Sequence, residues 1–454
     1  MNNRSRLKIF MFAEGLAVGI FAGVIIAAVR FLLDEADIFR PLWFAQIDSV
    51  EKIFVTIAAL VFVAIFLTKA INFDKQVAGS GIPQIRAILS GQTSMQNPLR
   101  LIALKFSAMI LAIGAGMSLG RAGVSVQFGA AAGNFLNRIF FARQAKLNRS
   151  HGEIEGEILL TAGAGAGLAA VFGAPLSGVV FCIEDLHRKF TPEMLITTIT
   201  ATVSASAIVG LVFGVRPIFT TITSVSLTVP EILKVPTLEM FTMLAAEPLR
   251  FFLYFVLLGI FLGFLGVLFT KAMLFSLDVY DRLKIFGLRR YLIPMLLIFP
   301  VGLFLPEVLG CGNVLVDNLL SSNFGLRMVL IFFVGKFLFT MICFGTNAPG
   351  GVFLPLLTLG ALGGEIFAEA GISLGFFTEE WSSLFVIFGM AAYFAAVVKA
   401  PVTGSLLIME LTGQFSYLLT LTIVSGLAFM VSDLCGGEPI FSALLNRSKK
   451  SSDE

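Results

Sequence analysis

The chain contains GAGAGLAAVFGAPLSGVVFCIED at Gly163–Asp185 and, in its second half, GMAAYFAAVVKAPVTGSLLIMEL at Gly389–Leu411. Both stretches have an alanine-rich run followed by Ala-Pro and a small polar residue before glycine, and their glutamates, Glu184 and Glu410, fall in register. The offset between the two stretches is close to half of the 454 residues. Two homologous halves produce this pattern in many transporters, whereas small residues alone also recur in packed membrane helices.

We therefore predict a single transmembrane domain over 1–454, with one half at about 1–225 and the other at about 226–454, and no soluble regulatory domain. Basic residues precede the first apolar run and follow the last one, at Arg4, Arg6, Lys8, Arg447, Lys449 and Lys450. Because cytoplasmic flanks of membrane helices are enriched in Lys and Arg, both termini are predicted to be cytoplasmic.

The composition indicates a polytopic all-α membrane protein. Apolar residues make up 57% of the chain and charged residues 13%, with a mean hydropathy of +0.93. Soluble domains have about 25% charged residues, so this chain could not coat a soluble surface. The net charge of +3 is small and no basic stripe is present, which argues against nucleic acid as a partner.

Long runs without charge indicate the membrane segments. Ile158–Ile183 has 26 such residues and Phe337–Gly364 has 28, and about 20 suffice to cross the hydrocarbon. Shorter runs, among them Phe106–Gly120 and Ala122–Asn137, are predicted to be half-helices that are buried in protein. The predicted total is ten to twelve spans plus broken pieces.

Enzymatic chemistry and metal binding have little support in the residues. The four cysteines are scattered without a CxxC pattern, there are only two histidines, and no GxSxG motif is present. We expect no metal site, no organic cofactor and no enzymatic activity.

Three glycine-rich segments each precede an apolar helical run. They are GSGIP at Gly79–Pro83, GRAGV at Gly120–Val124 and GGVFLP at Gly350–Pro355. A helix that starts inside the membrane leaves unpaired N–H groups and the positive end of its dipole, and both attract anions. Irregular backbone at this depth is tolerated where it is buried or lines a watery path. The pattern predicts a route for a small anion, with close helix packing through glycine as the alternative.

These segments resemble the CLC family of chloride channels and proton-coupled chloride transporters. GSGIP is a complete family signature, GRAGV is similar to an altered G(K/R)EGP, and GGVFLP matches GxFxP in its context. APLSGVVFCIED at Ala174–Asp185 resembles the segment with the internal proton-transfer acid, and EPIFSALL at Glu438–Leu445 resembles the last helix with its pore tyrosine.

The resemblance implies a CLC-type fold of two inverted-repeat halves with tilted and half-spanning helices, without CBS domains. It implies a homodimer in membrane lipid, in a bacterial inner membrane, with chloride as the main ion and bromide and nitrate also passing. The implied central anion site comprises Ser80, Val352, Phe353 and Phe441. The implied outer site and gate position comprise Gly120, Arg121, Ala122, Gly123 and Leu354.

Position 122 departs from the family pattern, because Ala122 stands where the gating glutamate belongs. A methyl group can neither compete with chloride nor carry a proton, and no Asp or Glu occurs between Asp74 and Glu153. The leading expectation is therefore passive, uncoupled chloride conduction. The alternative is proton/chloride exchange that uses another acid.

The implied internal proton-acceptor position is occupied by Asp185, with Glu184 beside it. Asp185 is either an inner proton relay or a structural acid paired with Arg188 or Lys189. Phe441 lacks the hydroxyl of the family tyrosine, which leaves Ser80 as the hydroxyl expected at the central ion. Glu365 lies in a long apolar run, and its role stays open between a buried functional group and an interface group.

Overall fold

A computed structural model describes residues 3–144, 152–187, 191–215, 217–219, 246–321, 324–376 and 378–453. Within those ranges the chain forms seventeen α-helices and no strand. The first eight are α1 (Asn3–Ala45), α2 (Val50–Phe73), α3 (Ile82–Leu89), α4 (Pro98–Ala115), α5 (Ala122–Gln144), α6 (Gly152–Phe172), α7 (Pro175–Phe181) and α8 (Pro192–Phe213). The predicted all-α membrane architecture is confirmed.

The remaining nine helices follow residue 245. They are α9 (Ala246–Arg282), α10 (Leu288–Phe304), α11 (Asn313–Ser321), α12 (Leu326–Gly345), α13 (Phe353–Ser373), α14 (Ser382–Val398), α15 (Pro401–Thr412), α16 (Leu418–Leu434) and α17 (Ile440–Asp453). The predicted boundary between the halves, at 225/226, lies outside the described residues and stays a prediction.

The predicted total of ten to twelve spans stays a prediction. Eight helices in the described part of the chain are long and apolar enough to cross a membrane. The charge-free run Ile158–Ile183 is not one helix, because it breaks at Gly173 between α6 and α7. The run Phe337–Gly364 likewise breaks between α12 and α13. A long charge-free run therefore indicates a segment within the membrane, but it does not indicate that the segment is one continuous helix.

Helix packing follows the same scheme in both halves. In the first half α5 packs on α6, α6 on α8 and α1 on α8. In the second half α13 packs on α14, α14 on α16 and α9 on α16. The members of each matched pair occupy the same order along their half of the chain, so the duplication in the sequence is also a duplication of contacts.

Glycine pairs bring the central helices of each half into close contact. An ideal Cβ on Gly129 of α5 would lie 1.9 Å from the Gly163 carbonyl oxygen of α6, and one on Gly163 would lie 2.1 Å from the Gly129 oxygen. In the second half Gly360 of α13 and Gly389 of α14 face each other in the same way, at 2.7 and 2.4 Å. Only glycine fits these four positions, as expected where membrane helices pack backbone to backbone.

Two glutamates join the halves by reciprocal caps. Glu184 accepts hydrogen bonds from the N–H groups of Val402 and Thr403, at 3.1 and 2.7 Å, at the start of α15. Glu410, at the matching position of α15, accepts from the N–H groups of Leu176 and Ser177, at 3.0 and 2.8 Å, at the start of α7. Each half therefore caps a helix of the other half, which satisfies N–H groups that the first turn leaves unpaired.

We expect Glu184→Ala and Glu410→Ala to destabilise the protein by similar amounts, because the two caps are equivalent. Hydrogen bonds to a charged group contribute about 1.5–3 kcal/mol each, so thermal unfolding of the purified protein should shift downward by several degrees. The exposed loop residue Glu438 provides the control, Glu438→Ala, which should leave the transition in place. Equal transitions in all three variants would contradict the capping role.

Candidate anion pathway

The loop before α3 has a backbone that requires glycine. Gly79 has φ +67° and Gly81 has φ +97°, which are values that other L-residues rarely adopt. The Gly79 N–H donates to the Asn347 carbonyl at 3.0 Å, which ties the loop to the segment before α13. Pro83 lies in the first turn of α3, where its missing N–H costs nothing.

The starts of α5 and α13 are joined directly. The Gly120 N–H donates to the Gly351 carbonyl at 2.6 Å, and the Gly351 N–H donates back to the Gly120 carbonyl at 2.7 Å. An ideal Cβ on Gly123 would lie 2.9 Å from the Ser80 carbonyl oxygen, so α5 also begins against the Ser80 loop. The three predicted helix starts are confirmed, and the structure brings all three together.

These starts carry backbone N–H groups that lack hydrogen-bond partners within the described residues. At α5 they belong to Arg121, Ala122 and Gly123, and at α13 to Val352, Phe353 and Leu354. Apart from the pair of bonds between Gly120 and Gly351, the oriented donors of both helices are available to a ligand. Donors of this kind at paired helix N-termini attract an anion.

The Ser80 hydroxyl lies at the same place. Ser80 is 3% exposed, and its Oγ is buried without a hydrogen-bond partner in the described part of the chain. A buried hydroxyl without a partner costs free energy unless a ligand or water pairs with it. The role of Ser80 as a ligand of the central anion stays a prediction, and its unpaired hydroxyl supports that role.

The side chains of Phe353 and Phe441 pack away from solvent. The Phe353 ring lies 4.6 Å from the Phe394 ring and 5.4 Å from the Phe172 ring, measured between centroids. Phe441 is 1% exposed at the start of α17, a helix that packs against α3. Phe353 therefore contributes its backbone to the candidate site, while its ring anchors the start of α13 in an aromatic pocket.

Asp185 forms a buried ion pair that the sequence did not predict. Its Oδ1 pairs with Nη2 of Arg86, and these side chains are 1% and 8% exposed. Arg86 also donates to the Ser442 hydroxyl at 2.9 Å, and its guanidinium lies 5.7 Å from the Phe441 ring centroid. Arg86 therefore connects α3, which follows Ser80, with both the turn after α7 that carries Asp185 and the start of α17. The predicted alternative partners, Arg188 and Lys189, lie outside the described residues.

Two other acids that the sequence analysis singled out, Glu184 and Glu365, each accept a hydrogen bond at the start of a helix. Glu184 caps α15, as described above. Glu365 is 1% exposed, and it accepts a hydrogen bond from the Ser382 hydroxyl at the start of α14. Among the described residues no group of three or more His, Cys, Asp or Glu side chains is arranged to hold a metal ion.

Ala122 and Arg121 have different surroundings although they are adjacent. Ala122 is fully buried, as is Val124 two residues on. Arg121 is 2% exposed, and its Nη1 lies 2.7 Å from Oδ1 of Asp34 on α1. The structure thus brings a carboxylate to the residue next to position 122, from 87 residues away in the chain.

A cavity of about 450 Å³ connects the Ser80 loop with one surface of the molecule. Ser80, Gly79 and Pro83 line its inner end, and Arg447 and Arg290 belong to its lining as well. Arg447 pairs with Asp278 and with Asp281, the latter at 2.6 Å. The Ser80 loop, the two arginines and their acid partner Asp281 therefore line the same cavity.

The model of the voltage-gated chloride channel family matches residues 60–433 of the chain. The chain belongs to the CLC family. It is a multi-pass membrane protein of a family that transports anions, with chloride as the family's ion. The predicted CLC-type fold is confirmed.

The chain is similar to curated CLC proteins along most of its length. It is 35% identical over 427 residues to the H(+)/Cl(-) exchange transporter ClcA of Vibrio vulnificus, covering 93% of this chain and 83% of the relative. It is 33% identical over 460 residues to ClcA of Vibrio cholerae, covering 96% and 89%.

Solved structures of CLC proteins share its fold. A slow cyanobacterial Cl-/H+ antiporter matches with a TM-score of 0.82 and 26% identity, covering 98% of this chain and 99% of that one. A CLC-type fluoride/proton antiporter matches with a TM-score of 0.71 and 21% identity, covering 93% and 95%. At 21% identity the second likeness concerns the fold alone.

If Ser80 contacts the central anion of this CLC protein, Ser80→Ala should weaken chloride binding. The substitution removes a hydrogen bond to a charged ligand, which contributes about 1.5–3 kcal/mol, so the half-saturating chloride concentration for flux should rise about tenfold or more. Ser90→Ala at the other end of α3 is the matched control, because the Ser90 hydroxyl donates to the Ala87 carbonyl of its own helix. A Ser80→Ala protein with unchanged chloride dependence would contradict the assignment.

Proposed function

We propose that this chain exchanges chloride for protons across the membrane, with the proton carried by acids other than a residue at position 122. The observation that carries the proposal is its likeness, at 35% and 33% identity over most of its length, to relatives that are named H(+)/Cl(-) exchange transporters. The antiporter structure that matches over 98% of the chain supports the same function. These comparisons favour exchange, the alternative of the sequence analysis, over passive conduction.

Two buried or half-buried acids fit the proton path of an exchanger. Asp185 lies behind the Ser80 loop, where Arg86 holds it, and it is the inner acid of the proposal. Asp34 pairs with Arg121 beside position 122, and its side chain is 39% exposed at the surface of the protein. We assign Asp34 as the outer acid, which takes the place of the carboxylate that Ala122 lacks.

The anion path of the proposal runs from the cavity at Ser80 to the paired starts of α5 and α13. The free N–H groups and the Ser80 hydroxyl replace the hydration of a small anion without a fixed positive charge in contact with it. We propose chloride as the main ion, with bromide and nitrate also transported.

The proposed assembly is a homodimer in a bacterial inner membrane, with both termini in the cytoplasm. The exposed apolar side chains of α8 and α16 are covered by lipid or by a second subunit in the membrane: Ile199, Val203, Leu419 and Met430 are between 43% and 73% exposed.

A second candidate function is passive chloride conduction, which one observation favours. Ala122 cannot bind a proton, and Asp185 is held in a buried ion pair with Arg86. In this case chloride would flow down its gradient through the same N–H groups without moving protons.

Paired flux measurements on reconstituted protein distinguish the two functions. Under an outward chloride gradient, we expect chloride efflux to drive protons into the vesicles against the proton gradient, and this movement should be sustained. Chloride efflux without proton movement would contradict exchange and establish passive conduction. The absence of any chloride flux from folded protein would contradict both candidates.

Variants of the two acids test the proton path. Asp34→Asn and Asp185→Asn should each abolish proton movement and leave chloride flux, whereas Asp48→Asn in the exposed loop before α2 should change neither. Because a buried Arg86 without its partner destabilises the fold by about 3–5 kcal/mol, the double variant Arg86→Gln/Asp185→Asn is made as well. Proton pumping that persists in folded Asp34→Asn or Asp185→Asn protein would remove that acid from the path.

Restoring a carboxylate at position 122 tests whether this position faces the anion. In Ala122→Glu the ionised side chain competes with chloride at the outer site, so chloride flux should be slower at pH 7.5 than at pH 4.5. Ala122→Gln has the same size without the charge and should show no such difference. Flux in Ala122→Glu that is the same at both pH values would place position 122 away from the ion path.

A further inference from the structure

Arg86 lies on α3, and its guanidinium contacts two other parts of the chain. Its Nη2 pairs with Oδ1 of Asp185 and also donates to the Asp185 carbonyl at 2.8 Å. Its Nη1 donates to the Ser442 hydroxyl at 2.9 Å, and its Cζ lies 5.7 Å from the Phe441 ring centroid. One side chain therefore holds both the acid of the turn after α7 and the start of α17.

Both helices that Arg86 joins line the cavity that reaches Ser80. The lining includes Pro83 and Ala87 of α3 and Leu444 of α17. Arg86 itself is 8% exposed, so its charge lies inside the protein. It follows Ser80 by six residues, which corresponds to roughly 9 Å along a helix. A buried unit charge at such a distance acts appreciably on an ion bound at the Ser80 loop.

In the structure the charge of Arg86 is balanced by that of Asp185. Their side chains are 8% and 1% exposed, so the pair is screened much less than charges at the surface. When the Asp185 carboxylate binds a proton, the pair changes as a whole from neutral to positive. A buried cation without a counter-charge is costly, and an anion at Ser80 supplies negative charge nearby. A proton at Asp185 and an anion at Ser80 therefore stabilise each other, and this effect is reciprocal.

The other ionisable groups around this pair, among the described side chains, have other contacts or lie at the surface. In the same turn Glu184 caps α15, and the Cys182 thiol donates to the Thr161 carbonyl at 3.3 Å. His187 contacts the Thr161 hydroxyl at 3.1 Å. Neither α7 nor α14, which packs against α17, contains a charged residue. The other helices that pack against α3 or this turn are α5, α6 and α17, and their charged side chains are Arg138, Glu157, Arg447 and Lys449.

We propose that Arg86 is a positioning residue that passes the protonation state of Asp185 to the anion site. While Asp185 is ionised it neutralises Arg86, and when Asp185 binds a proton the charge of Arg86 strengthens anion binding at the Ser80 loop. The inference rests on the anion site of the proposed function, and it names the group that links the proton to the anion. It concerns binding at equilibrium, so it applies to an exchanger and to a passive conductor alike.

Calorimetric titration of chloride into the purified, chloride-free chain at pH 7.5 tests the link through the direction of two shifts. Asp185→Asn leaves the charge of Arg86 unbalanced and should lower the Kd for chloride about tenfold. Arg86→Gln leaves the charge of Asp185 unbalanced and should raise the Kd by a similar factor. In Arg86→Gln/Asp185→Asn both charges are absent, so the Kd should return close to the wild-type value. Asp48→Asn is the control, because it removes an acid that is paired with Lys52 in the exposed loop before α2, and it should leave the Kd unchanged.

A pH series keeps the test decisive where a single variant does not fold. It compares the wild type with Arg86→Gln/Asp185→Asn, which leaves neither charge of the pair without its partner. Between pH 7.5 and pH 4.5 the wild-type Kd for chloride should fall, because Asp185 takes up a proton. The double variant keeps His187 and the other titratable groups, and it should lack this part of the change. The same pH dependence in both proteins would overturn the inference.

The outcomes separate this inference from the proposed function. Anything other than opposite shifts of the Kd in folded Asp185→Asn and Arg86→Gln would overturn the inference, and weaker binding in both would indicate that the pair is only structural. Folded wild-type protein that binds no chloride would contradict the anion site itself. Opposite shifts in a protein that moves no protons would support the inference and contradict exchange.

Discussion

Hydrocarbon cannot hydrogen-bond a backbone N–H group, and this constraint determines where a membrane helix can begin. In this chain α5 and α13 begin inside the protein, and Gly120 and Gly351 pair with each other between them. The N–H groups that follow have no partner among the described residues. An anion resolves this situation, because it needs donors as much as the helix starts need an acceptor. The candidate site is thus a consequence of breaking two helices at the same depth.

Duplication of the chain explains why the breaks meet. The halves hold each other through Glu184 and Glu410, each of which caps a helix of the other half. The same relation gives two glycine loops, at Gly79–Gly81 and Gly310–Gly312, and two buried lysines, Lys105 and Lys336. Each loop also lines a cavity of its own. The halves differ in the side chain at the centre of each loop, where Ser80 offers a hydroxyl and Cys311 a thiol, which is a weaker donor. Sequence divergence after duplication therefore acts on side chains, while the backbone geometry persists.

Local sequence patterns predicted the helix starts, and long-range partners were out of their reach. Glycines before the first residues of α3, α5 and α13, with Pro83 and Pro355 in the first turns of α3 and α13, predicted where these helices begin, because glycine and proline act on their own backbone. The pair of Arg86 and Asp185 was not predicted, because a charge in the sequence does not reveal its partner 99 residues away. The loop at Gly310–Gly312, whose glycines repeat the positive φ angles of Gly79 and Gly81, was missed for a different reason. Its offset from the Ser80 loop is longer than the offset between Glu184 and Glu410. The stretch from Gly129 to Gly163 is longer than the matching stretch from Gly360 to Gly389, so the glycine loops repeat at a longer offset than the segments that follow them.

We assign the largest functional consequence to Ala122, because its methyl group cannot carry a proton or compete with an anion for the N–H groups at the start of α5. The central claim is that these helix starts bind a small anion in the resting protein. Calorimetric titration of chloride into the purified, chloride-free chain tests it most directly. The account predicts saturable binding that Ser80→Ala weakens and Ser90→Ala does not. Folded protein that shows no saturable chloride binding would contradict it.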